Sequence, residues 1–223
     1  LVFNEGYTAT AGDDWMRPEL VQEALRLGRM LCQLAPQESE AWGLAALMEL
    51  QASRSAARLD ARGQPVLLAA QDRARWDRLL IHRGLMALER AQALGGAEGV
   101  YALQAAIAAC HAQAASAEAT DWRRIAALYG TLAGVAPSPV VELNRAVAVA
   151  QAEGPAAGLA IVERIAGEKA LRNYQWLPSV RADLLERLGR HAEAGAEWRR
   201  AAALAGNAAE RALLLARAQA AEP

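Results

Sequence analysis

Thr120-Asp-Trp122-Arg-Arg-Ile125-Ala-Ala-Leu-Tyr129-Gly-Thr-Leu132 has two later counterparts. They are Gly154-Pro-Ala156-Ala-Gly-Leu159-Ala-Ile-Val-Glu163-Arg-Ile-Ala166 and Gly189-Arg-His191-Ala-Glu-Ala194-Gly-Ala-Glu-Trp198-Arg-Arg-Ala201. Counted from Thr120, Gly154 and Gly189, a first rung stands two residues on at Trp122, Ala156 and His191. The next stands five on at Ile125, Leu159 and Ala194. The three origins are 34 and 35 residues apart. That is the period of stacked helix-turn-helix units, each too small to bury its apolar face alone.

Outside this ladder the same pattern continues in weaker form. Pro36 is followed by Trp42, Ala45 and Ala46, a large aromatic and two small residues that let neighbouring helices approach. About a quarter of the 223 residues are Ala, and Leu, Arg, Glu and Gln supply much of the rest. These side chains lose little rotamer freedom in a helix. The expected fold is all-α, a TPR-like α-α superhelix (a right-handed helical-hairpin solenoid) over residues 1–223 as a single domain. An irregular insertion is expected near 54–76, where the period breaks and Pro65 and Gly63 suggest two short extended segments around a turn.

Leu1 to Tyr7 reads as the end of an apolar helix turning at Gly6, followed by a polar loop from Thr8 to Asp14. Val21, Ala24, Leu25, Gly28, Leu31, Cys32 and Leu34 recur at helical spacing as one apolar face. A long helix is expected from Asp77 to Leu94, ended by Gly95-Gly96, and Asn207 is expected to open a terminal helix. The chain opens in mid-pattern, which predicts a piece of something longer.

The balance of 24 basic and 25 acidic residues leaves a net charge of −1, which argues against a face that binds duplex DNA through its phosphates. Cys32 and Cys110 are isolated in apolar helical runs and read as buried thiols in a reducing cytoplasm. No apolar stretch reaches a membrane-spanning length without charge, so no membrane partner is expected. His82, His111 and His191 lack ligand spacing, and neither HExxH, CxxC nor a phosphate-binding glycine loop occurs. No metal, cofactor or catalytic residue is therefore expected, and the chain does not read as an enzyme.

Three groups of residues are candidates for interaction. Asn4, Glu5 and Tyr7 cluster at the first helix end; Glu5 can serve as a base or bond the following loop. Between Arg54 and Arg78 stand six arginines and three aspartates, the one local basic excess. Within it Arg54, Arg58, Gln71, Asp72, Arg73, Trp76 and Asp77 form either a contact patch anchored by Trp76 or a packed insertion with Asp72 and Asp77 paired to Arg54 or Arg58. Asn144 and Arg145 sit on a ladder helix facing a groove or a structural hydrogen bond.

Five blocks carry a resemblance. They are Phe3-Asn-Glu-Gly-Tyr-Thr-Ala-Thr10, Gln71-Asp-Arg-x-x-Trp-Asp77, Leu103-Gln-Ala-Ala-Ile-Ala-Ala109, Thr120-Asp-Trp122, and Ser138-Pro-x-Val-x-Leu-Asn-Arg-Ala-Val-Ala148 with Gly154-Pro155. In content and spacing the chain resembles the C-terminal, TPR-like extension of bacterial extracytoplasmic-function (ECF) sigma factors. The resemblance implies a regulatory, protein-binding domain acting in transcription initiation, without direct DNA binding by this fragment. Its partners would be the sigma regions of its own full-length chain, RNA polymerase, or a further regulatory protein. On that expectation the insertion and the Asn4–Tyr7 turn face the sigma regions, with Arg54, Arg58, Arg73 and Trp76 carrying the contact. The alternatives are a small-molecule sensor, in which the Asn4 and Gln71 groups converge on a pocket, and a free-standing TPR adaptor.

Overall fold

Gly154 and Gly189, two of the three ladder origins, adopt φ of 105° and 73°. An L side chain is strained in that region, so glycine sets the turns from which the second and third units start. The computed structural model describes residues 2–7, 17–61, 63, 66–206 and 208–221. Among them the architecture is all-α, with eleven helices and no strand beyond an isolated bridge at Leu59. The helices form two compact units, Leu1–Asp121 and Trp122–Pro223. None is long and apolar enough to cross a membrane.

The first unit holds α1 (Val2–Tyr7), α2 (Pro18–Leu34), α3 (Ser39–Ala52), α4 (Arg78–Ala93) and α5 (Val100–Gln113). Gly6 lies within α1 and makes no turn, while the expected Thr8–Asp14 loop and the side chain of Tyr7 fall outside the described residues. Helix α3 is the centre, packed against α2, α4 and α5. Its small residues make this possible: a Cβ built on Gly43 would stand 2.8 Å from the Ala102 backbone nitrogen of α5. Trp42 donates its indole N–H to the Pro36 carbonyl at 3.1 Å, fixing the turn into α3. Arg29 of α2 donates to the buried Glu49 of α3 at 2.7 Å.

Between α3 and α4 the expected irregular insertion is present as three short 3-10 turns, at Ser55–Ala57, Leu68–Ala70 and Arg73–Arg75. Among the described residues the expected extended pairing shows as a bridge at Leu59 and a Val66 N–H donated to the Arg58 carbonyl at 2.8 Å, with Gly63 between them at φ of 75°. Arg62, Gln64 and Pro65 lie outside the described residues.

The second unit holds α6 (Trp122–Val135), α7 (Pro139–Glu153), α8 (Pro155–Ile165), α9 (Trp176–Arg187), α10 (His191–Leu204) and α11 (Ala208–Ala220). Each packs on its successor, and the five-residue rung is its spine, with Ile125, Leu159 and Ala194 all buried. Burial is less regular at the first rung and at the positions nine residues from the origins, Tyr129, Glu163 and Trp198. Trp198 is buried, whereas Trp122 and Tyr129 are half-buried and Glu163 is exposed. Glu163 instead pairs with Arg181 of α9 at 2.9 Å, and Arg181 reaches Glu197 of α10 at 2.8 Å, joining three helices through one guanidinium. Asn207, expected to open the terminal helix, lies outside the described residues, and α11 begins at the next residue.

Candidate interaction surface

Helix α5 is apolar around most of its circumference, with Ala102, Leu103, Ala105, Ala106, Ile107 and Ala109 all buried. It carries no side-chain cap of its own at Gly99. Its ends are closed from elsewhere. At the N-terminus the Tyr101 N–H donates to the Glu40 carboxylate of α3 at 3.0 Å. At the C-terminus Arg73 donates to the carbonyls of His111 and of Ala114, the latter at 3.0 Å, and to the Thr120 hydroxyl at 3.1 Å. An anion thus sits at the positive end of the helix dipole and a cation at the negative end.

This explains the Gln71–Asp77 block residue by residue. Gln71 donates to the Val66 carbonyl at 3.1 Å and holds the insertion closed. Asp72 accepts from the Ala74 N–H at 2.9 Å and caps the third 3-10 turn. The Arg73 guanidinium lies 4.9 Å from the Trp76 ring centre, within cation–π range. Asp77 accepts from the N–H groups of Leu79 and Leu80 at 2.9 and 3.0 Å and caps α4. The two aspartates are therefore helix caps, not partners of Arg54 or Arg58 as one reading of the sequence had them.

Burial changes the role of this block. Trp76 is 3% exposed and Arg73 9% exposed, and Arg58 is buried too. Trp76, Arg58 and Arg73 therefore present little surface for the expected docking patch, and Arg73 holds the insertion onto the end of α5. Arg54 is half-buried, bonded to Gln51 and placed 5.9 Å from the Trp76 ring centre. The two arginines also act on His111. Burial first, then the positive charges of Arg54 and Arg73, push its imidazole down to about 4.

The remaining candidates scatter. Glu5 pairs with Arg17 at 3.3 Å. Arg145 pairs with Glu142 one turn back at 2.7 Å, and Asn144 is exposed on α7. Among the described residues no three His, Cys, Asp or Glu side chains gather as metal ligands would. Cys32 and Cys110 are both buried, and the Cys32 thiol donates to the Ala41 carbonyl at 3.5 Å.

The surface that stands open is one the sequence reading passed over. A groove of about 560 Å³ runs between α1, α2, α3 and α5. Phe3 and Asn4 come from α1, Leu27 and Leu31 from α2, Met48 and Gln51 from α3, and Tyr101 and Gln104 from α5. Among the described residues no charged side chain lines it. Gln71, Asp72 and Trp76 are not part of it, so the Asn4 and Gln71 groups do not share this groove. Leu27 and Leu31 are 43% and 42% exposed, and Leu34, one turn further along the same stripe, is 81% exposed. Helical spacing places Leu31 and Leu34 on one apolar face with residues that are buried. The available signal was the width of the stripe, since Leu27, Leu31 and Leu34 repeat at helical spacing beside the buried Val21, Ala24, Leu25, Gly28 and Cys32.

Two comparisons with known proteins bear on this helical chain. Residues 1–92, which include α1 to α3, the insertion and most of α4, match a family of unknown function, DUF6596. Over 214 residues the chain is 49% identical to an uncharacterized protein of Rhizobium meliloti (strain 1021). That match takes in 96% of this chain and 50% of the relative, so the chain spans about half the length of the protein it resembles.

Proposed function

We propose that this chain is a TPR-like helical module of an ECF sigma factor, regulating transcription initiation through contacts with the sigma regions or with RNA polymerase. The observation that carries a protein-binding role is the groove rimmed by exposed leucines, with no charged side chain among its described lining residues. Contiguous apolar surface of this kind fits a polypeptide better than nucleic acid, which is recognised first through basic side chains. The five sequence blocks support the choice of sigma factor, and the doubled length of the relative supports a second half on which such a module acts. The stacked hairpins of the second unit support the TPR-like description, at a repeat of 34 to 35 residues.

Run-off transcription by the full-length protein with core RNA polymerase tests the reading. Removing the part equivalent to residues 1–223 should change promoter-specific yield by at least tenfold in either direction. Unchanged yield refutes a regulatory role.

A second reading is favoured by the size of the same groove. A volume of about 560 Å³ with three amides among apolar side chains is within the range of small-molecule sites. Its test is a ligand-dependent rise in melting temperature that Leu31→Glu abolishes.

A further inference from the structure

Helix α4 lies in mid-chain, with its first turn capped by Asp77 and its end set by Gly95. Ile81, Gly84, Ala87, Leu88 and Ala91 form its buried face, and the helix packs on α3 and α5. On the outer side Leu79, Arg83, Met86 and Arg90 follow at four-, three- and four-residue spacing, all of them exposed. At about 100° per residue they fall within about 60° of the circumference, a single stripe roughly 16 Å long. Leu79 is 55% and Met86 52% exposed, so the core makes little use of either.

Charge sets this face apart. On other helices Arg26, Arg145 and Arg190 each pair with a glutamate three residues away. Helix α4 carries Arg78, Arg83 and Arg90 against a single acid, Glu89, which lies to one side of the stripe. Among the described residues none of these three arginines makes an ion pair or a side-chain hydrogen bond.

Two apolar anchors alternating with two unpaired guanidiniums discriminate between occupants. A second copy laid along the same stripe would set arginine against arginine in either direction, and like charges oppose docking. A lipid surface takes helices whose apolar residues are segregated from their charges, whereas here the two are interleaved and the wide apolar face is turned inward. Duplex nucleic acid would use the arginines but leave Leu79 and Met86 unmatched, on a chain of net charge −1. A helix with carboxylates beside apolar residues matches both: carboxylates take the guanidiniums, and apolar side chains cover the leucine and the methionine.

We propose that the outer face of α4 docks an acidic amphipathic helix of a partner polypeptide, with Leu79 and Met86 as anchors and Arg83 and Arg90 as charge partners. None of these four residues lines the groove beside α2. The inference goes beyond the transcription reading and needs no sigma factor, so its failure leaves the run-off result untouched.

The test titrates the full-length protein into a fluorescein-labelled synthetic helical peptide of about 15 residues, with Leu at heptad spacing and Glu flanking each Leu. Its anisotropy should rise to saturation, and the same peptide with Lys in place of Glu should bind at least about tenfold more weakly. Arg83→Glu/Arg90→Glu and Leu79→Ser/Met86→Ser should each weaken the acidic peptide at least about tenfold. Arg190→Glu, which breaks an ion pair on another helix, should leave it unchanged. All four stripe positions are exposed, so both double variants are expected to keep the wild-type circular dichroism. Hydrogen exchange should place the peptide's protection on α4. Absence of saturable binding overturns the proposal, as does equal binding of the Lys peptide or protection along the α2 groove in place of α4. So does a response confined to duplex DNA or to vesicles of phosphatidylserine and phosphatidylcholine. A wild-type dimer in sedimentation that Leu79→Ser/Met86→Ser dissociates makes a second copy the occupant and also overturns it.

Discussion

Replacing Arg73 by Met removes the guanidinium that closes α5 while keeping an unbranched stem of similar length. Three hydrogen bonds from a charged donor are lost, to the carbonyls of His111 and Ala114 and to the Thr120 hydroxyl. At roughly 1.5 kcal/mol each, these amount to about 5 kcal/mol. Relief of the cation from burial, the first cause of the lowered Arg73 pKa, offsets about 2 kcal/mol of this. The net expected loss is about 3 kcal/mol, or roughly 1 to 2 M in the urea midpoint of the first unit. Arg73→Lys keeps the charge but has no planar fork to reach three acceptors at once, so it should recover less than half. The assay is equilibrium urea unfolding at pH 7, followed by circular dichroism and by indole fluorescence. A loss under 1 kcal/mol for Arg73→Met, or full recovery by Lys, refutes the assignment of Arg73 as the clamp on α5.

Three further outcomes follow from the same structure. His111 is held neutral when folded, with a pKa of about 4, whereas the unfolded chain takes up its proton near 6.5. Its contribution is complete above about pH 6.5 and is lost as pH falls toward 4, by roughly 3 kcal/mol in total; urea midpoints measured against pH should show this slope in the wild type and lose it in His111→Gln. Asp77→Ala removes the acceptor for two N–H groups at the start of α4 and should cost about 1 to 2 kcal/mol, with Asp77→Asn retaining most of the stability in the same unfolding assay. Gly158→Ala places a methyl 2.6 Å from the Ala146 carbonyl oxygen, where α8 crosses α7, and should destabilise the second unit by about 1 to 3 kcal/mol in thermal unfolding.

Much of the helical framework can be read from the chain because its signals are local. Asp77 marks the start of α4 and Gly95, at φ of 82°, lies just past its end, each acting within a few residues. The ladder likewise announces α6, α8 and α10, since Gly154 and Gly189 set turns that only neighbouring residues define. The role of Arg73 was hidden for the opposite reason. Its acceptors stand 38 to 47 residues downstream, so an exposed contact and a buried clamp look alike in sequence. The groove was hidden differently. Leu27, Leu31 and Leu34 belong to a wide apolar stripe, and which part of such a stripe is covered is decided by segments outside α2. No residue within α2 encodes that coverage. The open surface proposed for docking is thus not the arginine- and tryptophan-bearing insertion but an apolar face that composition does not advertise.

The central claim is that this module works as part of a sigma factor, and the most direct measurement is binding of the full-length protein to core RNA polymerase. The account predicts a stoichiometric complex in analytical ultracentrifugation and promoter-specific initiation from it, with yield altered by Leu27→Glu/Leu31→Glu. A full-length protein that neither sediments with core polymerase nor initiates at any promoter contradicts it.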